Sequence, residues 1–264
     1  MTDPVFELRN VTYRYHRQAA LAGLSLDIRK GERVALLGTN GSGKSTLLRL
    51  LAGLCFPDSG EIRYCGERLD ARRLQDEEFF FQFRRRVGVV FQNPDVQLFN
   101  PTVFDEVAFG PLQLGWPRQE IRKRVDETLE IMGIRQLSDR APHRLSGGEK
   151  KRVALASVLI LDPEILLLDE PAGALDPGSQ SQITGFLVSW GGGSKTVVTA
   201  THDLDTLEDI ADRCYVLDAG QVAGEGTPMK ILHDIGLLET TRLVRRHVHV
   251  HDAVQPGPHP HLHK

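Results

Sequence analysis

Cysteine is scarce and unpatterned. Cys55, Cys65 and Cys214 are odd in number, widely spaced, and never in a Cys-x-x-Cys arrangement. A disulfide scaffold is excluded, and a reducing compartment fits. Long apolar runs are missing too. Leu155 to Leu161 is among the longest, far short of the roughly 20 residues of a membrane span, and Ser157 interrupts it. Met1-Thr2-Asp3-Pro4 has neither the charged nor the apolar region of a signal peptide. There is no surplus of positive charge: 32 Lys and Arg against 35 Asp and Glu leave a net charge of -3, which removes the electrostatic case for a nucleic-acid partner. Secretion and membrane spanning are excluded; contact with a membrane through a partner is not. What remains is a globular chain of 264 residues, 41% hydrophobic and 25% charged, large enough for one large or two small domains.

The first 38 residues read as strands. Val5 to Leu8, Val11-Tyr13-Tyr15 and Leu24-Leu26-Ile28 alternate with period two, and Arg33 to Leu37 is a buried-strand run. Ser45 to Leu54 reads as a helix whose buried stripe is Leu47, Leu48, Leu50, Leu51 and Leu54, ended by Gly53 and Pro57. Glu61 to Tyr64 is a further short strand, and Leu69 to Arg86 reads as a charged helix with aromatics at Phe79, Phe80, Phe81 and Phe83. Val87 to Phe91 is a strand; helical patterns follow over Val103 to Phe109 and Arg118 to Met132. Strands return at Ile165–Leu168 and Thr196–Thr199, and a hairpin turns at Asp218-Ala219-Gly220. Strands alternating with helices predict an α/β fold with a parallel-sheet core, interrupted by a helical insertion. No internal repeat is present. After about Thr241 the chain turns basic, then rich in histidine and proline, which reads as a tail outside the core.

Two sites of chemistry stand at strand ends. Gly38-Thr39-Asn40-Gly41-Ser42-Gly43-Lys44-Ser45, with Thr46 beside it, matches G-x-x-x-x-G-K-[ST] between a strand and a helix. Glycines let backbone N–H groups close around phosphate oxygens, and the following helix adds its positive end. Lys44 would reach the β- and γ-phosphates and Ser45 would ligate Mg²⁺. The second is Asp169-Glu170 after the apolar Ile165–Leu168 run. Adjacent acids at a buried strand end are costly without a cation or a reaction to use them. Side chains there alternate in direction, so Asp169 can hold a Mg²⁺ ion while Glu170 faces an attacking water as general base.

A third feature is Leu145-Ser146-Gly147-Gly148-Glu149. Ser146-x-x-Glu149 is a capping box. A cap, however, does not need two glycines, which weaken the first turn of a helix. They offer bare N–H groups for a second phosphate contact. One phosphate cradle already exists at 38–45, so the economical reading gives the second to the nucleotide of another subunit.

Taken together, these three motifs resemble those of the ATP-binding subunits of ABC transporters, in the family's order, across about residues 5–235. The resemblance implies a P-loop NTPase (RecA-like) core with an N-terminal antiparallel β region and a helical insertion subdomain. It implies residues 1–240 as one ATP-binding domain, the insertion at about 97–154, and 241–264 as an appended tail. By resemblance, Tyr15 stacks on adenine, against the simpler reading of an outward strand tyrosine. Gln92 is the loop glutamine that touches Mg²⁺ and water and senses the membrane partner. Gly173-Ala174-Leu175-Asp176 is the dimer-contact loop, placing Asp176 at the nucleotide interface, and His202 is the switch histidine on the γ-phosphate. Two departures stand out: Glu149 where many relatives have glutamine, and Gly173 where the loop usually has serine. The first brings an extra negative charge near nucleotide unless Glu149 turns back to cap its helix.

The run from Val90 through Gln92-Asn93-Pro94-Asp95 to Gly110-Pro111 is similar to the ATPase subunits of energy-coupling-factor uptake systems, in the cobalt/nickel branch. That implies ATP and Mg²⁺ as cofactors, integral membrane transport subunits as partners, and a second ATP-binding subunit, a copy of this one, in a two-fold sandwich. It also implies a place at the cytoplasmic face of the membrane. The competing readings are import of a vitamin or another solute, or a soluble ABC ATPase not engaged in transport. Against the last, the chain has one cassette and no sustained heptads. Two cautious expectations complete the picture. The aromatic knot packs under a sheet edge, or lends one ring to a groove for the membrane partner. His247, His249, His251, His259, His261 and His263 offer imidazoles suited to Ni, Co, Cu or Zn.

Overall fold

The computed structural model of the chain describes residues 4–244; the six tail histidines lie outside the described residues. Strands β1 (Pro4–Tyr15), β2 (Gln18–Arg29), β4 (Ser59–Tyr64) and β5 (Glu67–Arg68) form an antiparallel sheet in the order β2-β1-β4-β5. The other sheet holds β3 (Arg33–Leu37), β6 (Val87–Val90), β7 (Ile165–Asp169), β8 (Thr196–Thr201), β9 (Arg213–Asp218) and β10 (Gln221–Gly226). Its order is β10-β9-β3-β8-β7-β6, parallel except for the β9–β10 hairpin. Helices α1 (Lys44–Leu51), α2 (Glu77–Arg86), α3 (Val103–Gln113), α4 (Arg118–Ile131), α5 (Gly147–Leu159) and α6 (Pro177–Trp190) are followed by the short α7 (Leu207–Ile210), α8 (Pro228–His233) and α9 (Ile235–Thr240).

Period-two alternation explains how both faces of the parallel sheet are filled. Leu36, Leu167 and Val198 face a core shared with α1 and the antiparallel sheet, while Leu166, Leu168 and Val197 face one shared with α3, α4, α5 and α6. Strands buried on both sides are apolar along their length, as β7 is from Ile165 to Leu168, with Asp169 at its end the exception. The helical insertion therefore shares its core with the sheet. This fastens the start of α5 at a fixed distance from the ends of β6 and β7.

Two local readings change. Leu54 does not belong to the buried stripe of α1: it is 48% exposed. The helix stops at Leu51 because Gly53 turns left-handed (φ 61°) and the Leu54 amide bonds back to Arg49 O at 2.9 Å. An eight-residue helix is too short to stand alone; burying Leu47, Leu48, Leu50 and Leu51, each about 2 kcal/mol, holds it. Leu69 to Arg86 is not one helix. Asp70 accepts the Arg73 amide, a 3₁₀ turn runs Arg73–Gln75, and Asp76 in extended backbone caps α2 through the Phe79 amide at 2.8 Å. Two side-chain acceptors that close turns break the continuous helix. Of the aromatic knot, Phe83 is buried and stacks on Phe79, edge-on to Tyr64, so packing is its role. Phe81 points outward.

Candidate nucleotide and catalytic site

Neighbouring parallel strands end at one edge, and each end carries a predicted site residue. After β3 comes the 38–45 loop; after β6, Gln92; after β7, Asp169 and Glu170; after β8, His202. A sheet with that order gathers residues that are far apart in sequence, and such carboxyl edges are where α/β folds bind ligands. A cavity of about 410 Å³ opens there, lined by Tyr15, Asn40, Gly41, Gly43, Lys44, Ser45, Thr46, Gln92, Asp169 and Glu170, with Gln18, Ala19 and Ala20 beside Tyr15. Tyr15 is 40% exposed and its hydroxyl accepts from Arg49 at 3.0 Å.

The loop is built for close backbone approach. A Cβ on Gly38 (φ 154°) would lie 2.5 Å from Leu217 O, and one on Gly43 (φ 109°) 2.7 Å from Ala20 O. Only glycine serves at both. Lys44 is buried and its ammonium donates to Gly38 O at 2.6 Å and Thr39 O at 3.2 Å. Burial lowers its pKa, and the charges of Glu170 and Asp169 oppose that. Ser42 is buried with a hydroxyl that has no partner.

Asp169 is 9% exposed and its Oδ1 is buried without a hydrogen-bond partner. Burial pushes its carboxyl above the usual range; a hydrogen bond with Ser45 opposes this, and the Glu170 charge adds to it. An orphaned carboxylate oxygen with a serine hydroxyl at its side and Gln92 in the same cavity is an oxygen donor set that suits Mg²⁺. Glu170 is buried, and Oε1 lies 2.8 Å from His202 Nδ1. The imidazole is largely exposed and does not line this cavity; it lines a neighbouring one of about 840 Å³, with Glu170 common to both.

Ser146 to Glu149 and Asp176 do not line this cavity. The capping box forms: Glu149 Oε2 accepts the Ser146 amide and hydroxyl, both at 2.8 Å, and Ser146 Oγ accepts the Glu149 amide. Glu149 thus turns back onto its own helix, and those hydrogen bonds hold its carboxyl below the usual range. Asp176 caps α6 by accepting the Ser179 amide. A Cβ on Gly148 would meet Ser179 Oγ at 2.6 Å, whereas one on Gly147 meets nothing within 4 Å. The chain's own packing explains the second glycine and leaves the first unexplained.

Sequence reading missed three polar anchors around these loops. Glu106, buried in α3, accepts the Phe99 and Asn100 amides; Gln97 donates to Ala154 O; Lys151 donates to Glu170 O and Gly173 O. The available signal for Glu106 was a glutamate directly followed by the apolar Val107-Ala108, where a solvated acid is out of place. No such signal exists for Lys151, one of two adjacent lysines on a charged stretch.

Residues 21–173 match the family described as ABC transporter. The chain belongs to that family, with the P-loop NTPase fold of its ATP-hydrolysing, ATP-binding subunits. It is 54% identical over 244 residues to the nickel import ATP-binding protein NikO of Rhodobacter capsulatus, covering 91% of this chain and 96% of that one. It is 45% identical over 240 residues to the energy-coupling factor transporter ATP-binding protein EcfA of Methanothermobacter thermautotrophicus (90% and 76%). Among solved structures, CbiO1 from Clostridium perfringens, part of the ABC transporter complex CbiONQ, is similar at a TM-score of 0.76 and 37% identity (91% and 95% covered). A dimeric ATP-binding cassette in a post-hydrolysis state, bound to ADP and Pi, is similar at 0.75 and 32% (84% and 98%).

Proposed function

We propose that two copies of this chain close on ATP and hydrolyse it to drive import of a divalent transition metal, nickel or cobalt, through a membrane complex. The observation that carries the chemistry is the Glu170 carboxylate, which lies 2.8 Å from His202 and lines the cavity that also holds Lys44 and Asp169. Backbone N–H groups of Gly38 to Thr46 cradle the phosphates, Lys44 leaves its loop carbonyls for the β- and γ-oxygens, and Tyr15 takes the adenine face. Ser45, Gln92 and Asp169 would hold Mg²⁺, which when bound neutralises phosphate charge. Glu170 accepts the proton of the attacking water, and His202 steadies both that carboxylate and the γ-phosphate.

Ser146, Gly147 and Gly148 serve the nucleotide of the partner copy, with Asp176 near the contact. The exposure of Ser146 and Gly147 outside the cavity, and a glycine at 147 that the chain's own packing does not require, support this. So does the dimeric arrangement reported for the cassette with ADP and Pi. Glu149 keeps its charge but turns the carboxylate back onto the Ser146 amide and hydroxyl of its own helix start. A two-fold pair makes two such sites, and loss of the bridging γ-phosphate reopens them.

The metal cargo is supported by the likeness to a nickel import protein and to CbiO1. The histidine-rich tail agrees, by composition. No helix among the described residues is long and apolar enough to cross a membrane. The likeness to a nickel import ATP-binding protein and to CbiO1, part of a transporter complex, supports docking to membrane subunits at the cytoplasmic face. Phe99 (68% exposed) and Phe109, edge-on at 5.0 Å beside the loop after Gln92, supply an apolar anchor for that contact.

Glu170→Gln tests the reading. An amide cannot accept the water's proton, yet the cradles remain. ATP binding should persist, turnover should fall by about 100-fold or more, and ATP should trap a dimer on size exclusion. Hydrolysis at the parental rate would remove Glu170 from the role of base.

A further inference from the structure

The first turns of α5 carry adjacent lysines that reach in opposite directions. Lys150 Nζ lies 2.7 Å from Asp95 Oδ1, in the turn after Gln92. Lys151 Nζ donates to Glu170 O at 2.8 Å and to Gly173 O at 2.6 Å. Lys151 is only 9% exposed. A buried ammonium is costly until its partners repay the lost hydration, and an apolar side chain of the same length would pack there at lower cost. Among the described residues it makes no ion pair with a carboxylate; both acceptors are backbone carbonyls. What distinguishes the position is which carbonyls these are.

They belong to a turn that the chain holds against its own preference. Immediately after β7, Glu170 takes φ 47°, and Ala174 takes φ 58°. Left-handed backbone at non-glycine residues is strained and persists where surroundings enforce it. Three bonds do so at Glu170. Its amide donates to Ala200 O at 2.9 Å, and its carbonyl accepts the Gly173 amide at 3.2 Å together with the Lys151 ammonium. Backbone fixed in this way sets the direction in which the Glu170 carboxylate leaves the strand, towards His202. Without the ammonium, Gly173 O loses its donor and Glu170 O keeps only the longer of its two bonds.

We propose that Lys151 is a positioning residue for ATP hydrolysis: its ammonium, fixed on the carbonyls of Glu170 and Gly173, holds the Glu170 carboxylate in its working direction and ties it to the helix that begins at Ser146. The inference rests on Glu170 being the general base. It assigns Lys151 no contact with nucleotide. It also means that the helix offering Gly147 and Gly148 to a partner's nucleotide is clamped, in the same chain, to the turn that carries the base.

The experiment compares the full chain with Lys151→Met, Lys151→Gln and Glu170→Gln. It measures steady-state hydrolysis, direct ATP binding and the thermal midpoint. Met keeps the length of the stem and loses every donor. It should lower kcat by roughly 10- to 100-fold, the effect of a small misplacement of a reacting group. ATP affinity should be unchanged, because the 38–46 cradle is untouched. Gln is equally uncharged but still donates to a carbonyl, so it should recover part of the lost kcat. Parental kcat in Lys151→Met would overturn the proposal. Parallel loss of ATP affinity and kcat would overturn it as well, since that marks general damage to the fold. If Lys151→Met does not fold, Lys151→Gln decides alone: reduced kcat with intact ATP binding supports the proposal, and parental kcat overturns it. Parental hydrolysis by Glu170→Gln would instead remove the base assignment on which the proposal stands.

Discussion

Asp169 shows how a functional residue can work against the stability of its own fold. Its carboxyl is buried at the end of β7 with Oδ1 unpartnered, and burial raises its pKa above the unfolded value. The sign follows from linkage: an acid whose folded pKa is raised costs stability above that pKa, and the cost fades as pH falls toward the unfolded value. Asp169→Asn removes the charge at constant shape. At pH 7, without nucleotide or Mg²⁺, it should therefore raise the thermal midpoint by a few degrees, about 2–4 °C for each kcal/mol in a chain of this size. The gain should shrink on acidification. ATP with Mg²⁺, which stabilises the parent by binding its folded state, should add much less to the variant. Scanning calorimetry with and without ATP and Mg²⁺ reads both effects; a lower midpoint with undiminished stabilisation by the ligands would contradict this account of Asp169. Lys44, Ser45, Asp169 and Glu170 could be placed at strand ends from the sequence because apolar runs precede them, whereas His202 was given by family resemblance. The Glu170–His202 contact and the Lys151 clamp were not legible: they depend on which strands become neighbours, and on side chains meeting across 32 and 19 positions.

The start of α5 holds two glycines with different reasons to exist. Gly148 is required inside the chain, where a Cβ would press on Ser179 Oγ; Gly147 has open space. Alanine is the better helix former by up to about 1 kcal/mol. Gly147→Ala should therefore leave the thermal midpoint unchanged or raise it by a degree or two, and at the same time weaken ATP-driven dimerisation and turnover. Calorimetry and ATP-dependent size exclusion check the two halves; undisturbed dimerisation would mean that Gly147 faces no partner. The capping box itself was readable as Ser146-x-x-Glu149, and it forms. Elements whose limits are set by local side-chain acceptors were harder to read. Asp70 and Asp76 break the 69–86 stretch, and Gly53 releases Leu54 from the α1 stripe, because turn-closing bonds compete with an apolar period that continues past them.

At the scale of the whole molecule, the β10-β9-β3-β8-β7-β6 order gathers the phosphate loop, Gln92, the acid pair and His202 at one edge. The same chain leaves Ser146–Gly148 outside the cavity. In the proposed dimer, each protomer brings a cradle to one site and the Ser146–Gly148 wall to the other. The alternation of strands and helices made the parallel core legible; the sheet order was not, since period-two runs say that a strand is buried and not beside which strand. The central claim is that each hydrolytic site is assembled from two copies, and mixing two defective subunits tests it most directly. Lys44→Ala should remove phosphate binding by the cradle, and Ser146→Arg should block the contact offered to the partner, so each variant alone should be inactive. In a mixed dimer, one site combines both defects and the other combines an intact Lys44 with an intact Ser146 from the opposite chain. The measurement is steady-state ATP hydrolysis by the two variants, separately and after mixing. The account predicts that mixing restores activity that neither variant has alone; if the mixture stays as inactive as its parts while mixed dimers form, both motifs serve the same chain's nucleotide and the composite site is wrong.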